Sequence, residues 1–409
     1  MSHKIFISEN VTSGALCDQT LPLIVPEAFA MLRTLIEEFH SVGYIPYTTL
    51  DWRLKPLSTI LPPKTCVYYI NDPNTFLERF RTTAQQTDLS LLVAPEIQNA
   101  MGVCNKILNE VSSNFLGSDE KITAFLIDKL FAGQFFQKQR LPAPKSINVE
   151  NPSQAHDCFS YFNFPSQLVV KPRQGAGADG VRLITSERQL KVAISELVPL
   201  HGPLVVQEYI PGVAASVSLI VEENKVLFLS LNSQELSFDE LKIEAEYKGG
   251  KTPFDHKAKD LAFELTEAFV KTMPGLRGFI GLDMILVDEK ATLIEVNLRP
   301  TTPIIALARI GNFNLAEFVL TAKDRDPYEF KTLNYAEFGK VELECSTITQ
   351  NDLLEFVHLP GVVAPPFKIK DVSKSIAIVR GIGSSPESAH SQFQKVKLEL
   401  QNQCSSKQS

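Results

Sequence analysis

Residues 278–303, GFIGLDMILVDEKATLIEVNLRPTTP, constrain this chain more than any other stretch. Two apolar runs flank Asp288-Glu289-Lys290, so the segment reads as a β-hairpin that turns there. Side chains alternate between the faces of a strand, which puts Glu295 and Asn297 on the same face. The partner strand, once turned, brings Asp283 alongside them. Two carboxylates and an amide oxygen among apolar neighbours form a donor set for a hard divalent cation shared with phosphates. Unpaired carboxylates are costly to bury, and a cation offsets that cost. The alternative is an edge hairpin with ordinary polar residues near its ends, and the hairpin alone leaves both open.

At 409 residues the chain has room for two to four domains or subdomains, each with its own core. Its 44 % hydrophobic and 21 % charged content is that of an ordinary globular protein. A net charge of −7 argues against nucleic acid or an anionic membrane as the main partner. An anionic ligand therefore requires a local basic site. The cysteines, at 17, 66, 104, 158, 345 and 404, form no CxxC pair, so neither a zinc site nor a disulfide framework is expected. The expected setting is a reducing cytoplasm. The start, MSHKIFISEN, carries no apolar leader, and no run reaches membrane-spanning length. The 26 phenylalanines are read as core.

The first part of the chain alternates strand and helix. KIFIS (4–8) is a strand, and 26–42 places Phe29, Leu32, Leu35, Ile36 and Phe39 at helical spacing before Gly43. Strands at 44–50, 66–70 and 89–95 follow, with a helix near 74–85. Such alternation predicts a parallel sheet covered by helices. Glu96 follows the carboxyl end of a strand, where open α/β sheets bind ligands, though it also suits the neighbour of a helix cap. A helix near 118–127 carries Asp119 and Glu120 in its first turn. A second helix spans 128–138, with Lys129 at the end that disfavours a cation. That lysine has another role or is merely solvated.

QLVVKPRQGAGADGVRLI (167–184) reads as strand, glycine loop, strand. The phosphate loops of nucleotide-binding motifs lead into a helix, so this is a different device. A glycine hairpin can fold over phosphates with backbone N–H groups and Lys171 as donors, or it can be a plain turn. A lysine at the end of an apolar strand needs an anionic partner. A helix over 186–198 leads to PLVVQEYIPG (203–212), either a hinge that reads a planar base or an interdomain strand. Residues 216–236 form a hairpin turning at Glu223-Asn224, residues 237–253 a polar, mobile loop, and 255–273 an amphipathic helix. Residues 304–320 are helical, and 326–409 form a β-rich extension with a closing helix. No histidine lies in a catalytic context, and no Ser/His/Asp or Cys/His set is present.

These pieces, in this order, resemble the ATP-grasp ligases: Asp128-Lys129 at a helix start, Lys171 with its glycine loop, QEYIPG, then Asp283 with Glu295-Val296-Asn297. ISENVTSGAL, LLVAPE, LNSQEL, YKGG and EVNLRPTT are further similar to the branch that joins glutamate to tyramine in methanofuran synthesis. The resemblance implies an α/β fold with an N-terminal pre-ATP-grasp domain (1–115), a small lobe (116–205), a large lobe (206–325) and a C-terminal extension (326–409). It implies ATP and Mg²⁺ as cofactors, with two ions and Mn²⁺ as a substitute. Lys129, Lys171, Gly175, Gly177 and Gly180 then contact phosphates. Gln207, Glu208 and Ile210 meet adenine. Asp283, Glu295 and Asn297 hold metal. Arg299, Lys171 and Arg173 serve catalysis. The partners implied are small molecules (ATP, an amino acid, an amine), with no nucleic acid or membrane, in a monomer or homodimer. Three features depart from related patterns. Val213-Ala214-Ala215 lacks an acid for ribose, Leu298 replaces a common proline, and Gly281-Leu282 lacks the arginine of D-alanine ligases.

Overall fold

The computed structural model describes residues 3–97, 99–162, 167–238, 245–344, 349–368 and 375–406. They form three sheets, met in chain order. The first holds β1 (Lys4–Glu9), β2 (Ile45–Asp51), β3 (Cys66–Ile70) and β4 (Leu89–Val93) in the order β3-β2-β1-β4. All its pairings are parallel, as alternation with helices requires. Between its strands run α1 (Val25–Ser41) and α2 (Phe76–Gln85), and α3 (Ala100–Val111) follows. Helix α1 carries Pro26 in its first turn, where the missing N–H costs nothing. Its stripe of Phe29, Leu32, Leu35, Ile36 and Phe39 is fully buried.

The second sheet is antiparallel and ordered β5-β8-β6-β7. Its strands are β5 (Ser146–Val149), β6 (Leu168–Pro172), β7 (Arg182–Ile184) and β8 (Leu204–Glu208). Around it lie α4 (Glu120–Leu126), α5 (Lys129–Lys138), α6 (Ala155–Phe162) and α7 (Glu187–His201). Because β8 completes this sheet, a lobe boundary at 205 cuts through a strand. The structural break comes after Glu208.

The third sheet has eight strands, ordered β13-β12-β9-β10-β11-β14-β16-β15. They are β9 (Val213–Glu222), β10 (Lys225–Phe238), β11 (Ala245–Thr252), β12 (Gly278–Val287), β13 (Lys290–Asn297), β14 (Tyr335–Leu343), β15 (Val362–Lys368) and β16 (Ser375–Gly383). Helices α8 (Lys259–Thr272), α9 (Ile304–Ile310), α10 (Leu315–Leu320), α11 (Gln350–Val357) and α12 (Pro386–Ser406) complete the chain.

Two expectations change here. Residues 245–252, read as loop, are strand β11, and residues 239–244 lie outside the described residues. The reading as loop followed from the glycines, whose role is close approach. A Cβ on Gly249 would lie 2.0 Å from the Phe338 carbonyl oxygen, and one on Gly250 2.1 Å from that of Ser233. Nor is 326–409 a separate appendix: β14 pairs with β11, so the last strands continue the hairpin's own sheet. Val363, Ala364 and Ile376 share one core with Phe29 and Phe39 of α1. Among the described residues, no helix is long and apolar enough to cross a membrane.

Candidate active site

The hairpin of β12 and β13 sets Asp283 directly opposite Glu295, with a register shift immediately after Asp283. Across the sheet, Gln234 of β10 donates from Nε2 to Asp283 Oδ1 at 2.9 Å. Asn297 donates from Nδ2 to Asp283 Oδ2 at 3.1 Å. Burial pushes the Asp283 carboxyl up to about 7, and the neighbouring Glu295 carboxylate adds to that push. The two amide donors only partly oppose it. Burial and the facing carboxylate disfavour the charged form of Asp283, and a divalent cation would offset both. With the Asn297 amide the donors are all hard oxygens, suited to magnesium rather than to a soft metal. Among the described residues, no group of three or more His, Cys, Asp or Glu side chains could hold a metal.

Two lysines face these carboxylates, one from β6 and one from the start of α5. Lys171 sits in β6 at 5 % exposure. Burial pulls its ammonium down to about 8, against the attraction of Glu295 and Asp283, and nearby Lys129 lowers it further. Lys129 is the first residue of α5, where the Asp128 carboxylate caps the helix by accepting from Leu130 N at 3.0 Å and Phe131 N at 3.2 Å. From there its Nζ lies 3.2 Å from Glu295 Oε1 and donates to the Gly175 carbonyl at 2.6 Å. One ammonium thus joins α5, the glycine loop and the hairpin. The loop crosses to its neighbours elsewhere too. Gly177, at φ +68°, lies against Ile24, and the Val181 carbonyl accepts from Ala245 N at 2.9 Å.

The third side of the cluster comes from the parallel sheet. Arg299 Nε lies 3.5 Å from Glu96 Oε1, and its Nη2 donates to Asn297 Oδ1 at 3.3 Å. Glu96 is 3 % exposed, so Arg299 is the partner its burial requires. Nearby Glu9, at the carboxyl end of β1, accepts from Val11 N and Thr12 N. Burial raises its carboxyl to about 7, which the Arg299 charge partly opposes. Glu9 and Gln234 were not singled out from sequence. The strand-end rule applied to Glu96 was the available signal for Glu9. Gln234 was marked only by its place in LNSQEL, because it acts from a different hairpin.

Arg173 does not join the cluster. Its guanidinium forks onto Asp128, with Nε 3.0 Å from Oδ2, donates to Asn148 Oδ1 at 3.3 Å, and stacks over the Phe131 ring. It ties the segment leading into the glycine loop to the start of α5. Gln207 is buried and donates to Ser146 Oγ at 3.1 Å, while Glu208 is exposed and Ile210 partly so. These three lie along β8, which pairs with the strand of Lys171, and the segment leading to β9. Gly180, with φ +69°, packs near Pro172 and His201 at the foot of the loop.

Residues 126–303 match the ATP-grasp domain, and residues 45–121 match the pre ATP-grasp 3 domain. The chain belongs to the ATP-grasp superfamily. The ATP-grasp match begins just before Asp128-Lys129 and ends at the close of the hairpin segment. The chain is 28 % identical over 247 residues to the tyramine–L-glutamate ligase of Methanocaldococcus fervens, covering 60 % of this chain and 70 % of that protein. It is 28 % identical over 235 residues to the D-alanine–D-alanine ligase of Thermotoga maritima, covering 53 % and 73 %. Its fold superposes on an L-amino acid ligase from Bacillus licheniformis with a TM-score of 0.66 at 14 % identity, over 97 % of both chains.

Proposed function

We propose that this ATP-grasp protein is an ATP-dependent carbon–nitrogen ligase that joins the carboxylate of an amino acid to an amine. The acyl donor is glutamate and the acceptor tyramine, tyrosine or a related aromatic amine. The observation that carries the reading is the meeting of Lys129 and Lys171 with Asp283, Glu295, Asn297 and Arg299 at one place. Relatives that join amino acids to amines, matched over most of their length, support the ligase class.

In this reading Asp283, Glu295 and Asn297 would hold Mg²⁺, two ions in all, with Mn²⁺ able to replace them. Bound there, the metal supplies charge neutralisation to the triphosphate. Lys129 and Lys171 take the phosphate oxygens, and the backbone of Gly175, Gly177 and Gly180 closes over them. Gln207, Glu208 and the Ile210 backbone line the adenine. Arg299, oriented by Glu96 and Asn297, faces the carboxylate being activated. That carboxylate attacks the γ-phosphate, ADP departs, and an acyl phosphate forms. The amine then displaces phosphate to give the amide. No protein nucleophile takes part, so the chain's contribution is positioning and charge. Such a protein works in the cytoplasm on small molecules, as a monomer or homodimer.

The test is incubation with ATP, Mg²⁺, glutamate and a panel of amines. ADP, phosphate and an amide of the expected mass should appear together. AMP and pyrophosphate, or tight ATP binding without turnover across the panel, overturns the reading.

A further inference from the structure

Beside the charged cluster is a second group of polar residues that the reaction above does not use. Glu27, in the first turn of α1, is 9 % exposed. Its Oε1 accepts from the Thr302 hydroxyl, three residues beyond Arg299. Its Oε2 is buried without a hydrogen bond, and its nearest cation is Lys340 Nζ at 3.3 Å. Lys340 belongs to β14 and lies 5.9 Å from the centre of the Tyr247 ring on β11. Tyr247 is partly exposed overall, but its hydroxyl end is desolvated and hydrogen-bonded to Thr302. Burial holds that hydroxyl well above its usual range, and the charges of Glu27 and Asp283 raise it further. Thr302, bonded to Glu27 and three residues beyond Arg299, ties this group to the segment that carries the proposed phosphoryl-transfer site. Residues of α1, β11, β14 and the segment after β13 meet here, and β14 belongs to the β-rich extension.

An interdomain staple would give its ions close, well-directed hydrogen bonds, because a buried charge otherwise keeps most of its desolvation cost. Glu27 and Lys340 touch without one. Such a pair is complementary to a ligand that carries an ammonium and a carboxylate of its own. We propose that Glu27 and Lys340, with Tyr247, form the subsite for the acyl donor. Glu27 takes the donor's ammonium, Lys340 its second, non-reacting carboxylate, and Arg299 the carboxylate that is activated. The inference rests on the ligase reading and deepens it. It assigns the enzyme to amino acids with two carboxylates, and it gives β14 a part in choosing them.

The experiment compares wild type with Lys340→Met, Lys340→Arg and the charge-free pair Glu27→Gln/Lys340→Met. Each is assayed for ADP release with glutamate and with analogues that lack one carboxylate, glutamine and γ-aminobutyrate. Each is also assayed for glutamate-induced thermal stabilisation in the presence of Mg²⁺ and a non-hydrolysable ATP analogue. Lys340→Met should raise KM for glutamate on the order of 10- to 100-fold, the scale of one charge-assisted hydrogen bond, with kcat and the KM for ATP changing far less. Its preference for glutamate over the analogues should collapse, and Lys340→Arg should restore much of it. The double variant leaves no orphan charge, so it should fold well and still bind glutamate poorly. An unchanged KM and preference in Lys340→Met, or normal glutamate binding by the double variant, overturns the subsite. Failure of the ligase reading is distinct. In that case wild type releases no ADP with any amino acid, and glutamate-induced stabilisation lost in Lys340→Met still supports the subsite, while its absence in wild type overturns it.

Discussion

Replacing Lys171 with methionine should make the ligand-free protein more stable while destroying its hold on ATP. The amine is almost wholly buried and is displaced from 10.5 to about 8, chiefly by lost hydration. Keeping it charged at neutral pH therefore costs about 3 kcal/mol, with the attraction of Glu295 and Asp283 already counted. Methionine fills the same space and removes that cost. It also leaves two carboxylates less compensated, so the net gain should be about 1–2 kcal/mol. The pH dependence fixes the sign. Unfolded lysine keeps its proton to 10.5, whereas the folded residue releases it near 8. In that window the unfolded chain binds more protons, so wild-type stability climbs with pH. The variant lacks this climb, so its advantage is present at pH 7 and gone by about pH 10. Urea denaturation without nucleotide or divalent cation, followed from about pH 7 to about pH 10, measures it. With ATP and Mg²⁺ the order should reverse, because only wild type gains stability by binding. A variant less stable than wild type at neutral pH, or an offset that does not shrink with pH, would refute the reasoning.

The other expectations concern neighbouring groups. Asp283→Ala and Glu295→Ala should each lower kcat by two orders of magnitude or more, the scale of lost electrostatic stabilisation. Near-normal turnover in either removes it from the metal site. Asp128→Ala removes a helix cap and the partner of Arg173, and should cost about 2 kcal/mol in denaturation experiments. Arg173→Gln should lower the melting temperature while leaving kcat within a few-fold, and a hundredfold loss at unchanged stability would return it to the chemistry.

What the sequence disclosed follows from where its signals were local. Asp283, Glu295 and Asn297 lie in one hairpin, so strand alternation alone brought them together. Lys171 ends an apolar strand, and Lys129 sits at the wrong end of a helix for a cation. Both oddities show in a few consecutive residues. The partner of Arg173 was not legible, because it lies two residues from Lys171 but turns to Asp128, 45 positions away. Strand β11 was hidden because Gly249 and Gly250 are required by backbones on either side of them, and those backbones belong to β10 and β14. Glu27, Tyr247 and Lys340 look like surface residues in sequence, and only the approach of Lys340 on β14 to Glu27 and to Tyr247 makes them a group.

The cluster also bears on how its ligands arrive. Each charge now leans on another: Lys129 on Glu295, Arg299 on Glu96 and Asn297, and Asp283 on two amides. In the proposed reading, a triphosphate alone would draw Lys129 from Glu295 and leave two carboxylates facing new negative charge. A cation alone would take Glu295 and leave Lys129 with only the Gly175 carbonyl. Together they would give Lys129 a phosphate and Glu295 a cation in place of each other. The same Lys129 contact holds the glycine loop against the hairpin, so exchange at that ammonium connects the state of the phosphates to the position of the loop. The arrangement therefore favours nucleotide and metal entering as one unit, with the loop's closure set by the ion pair they replace.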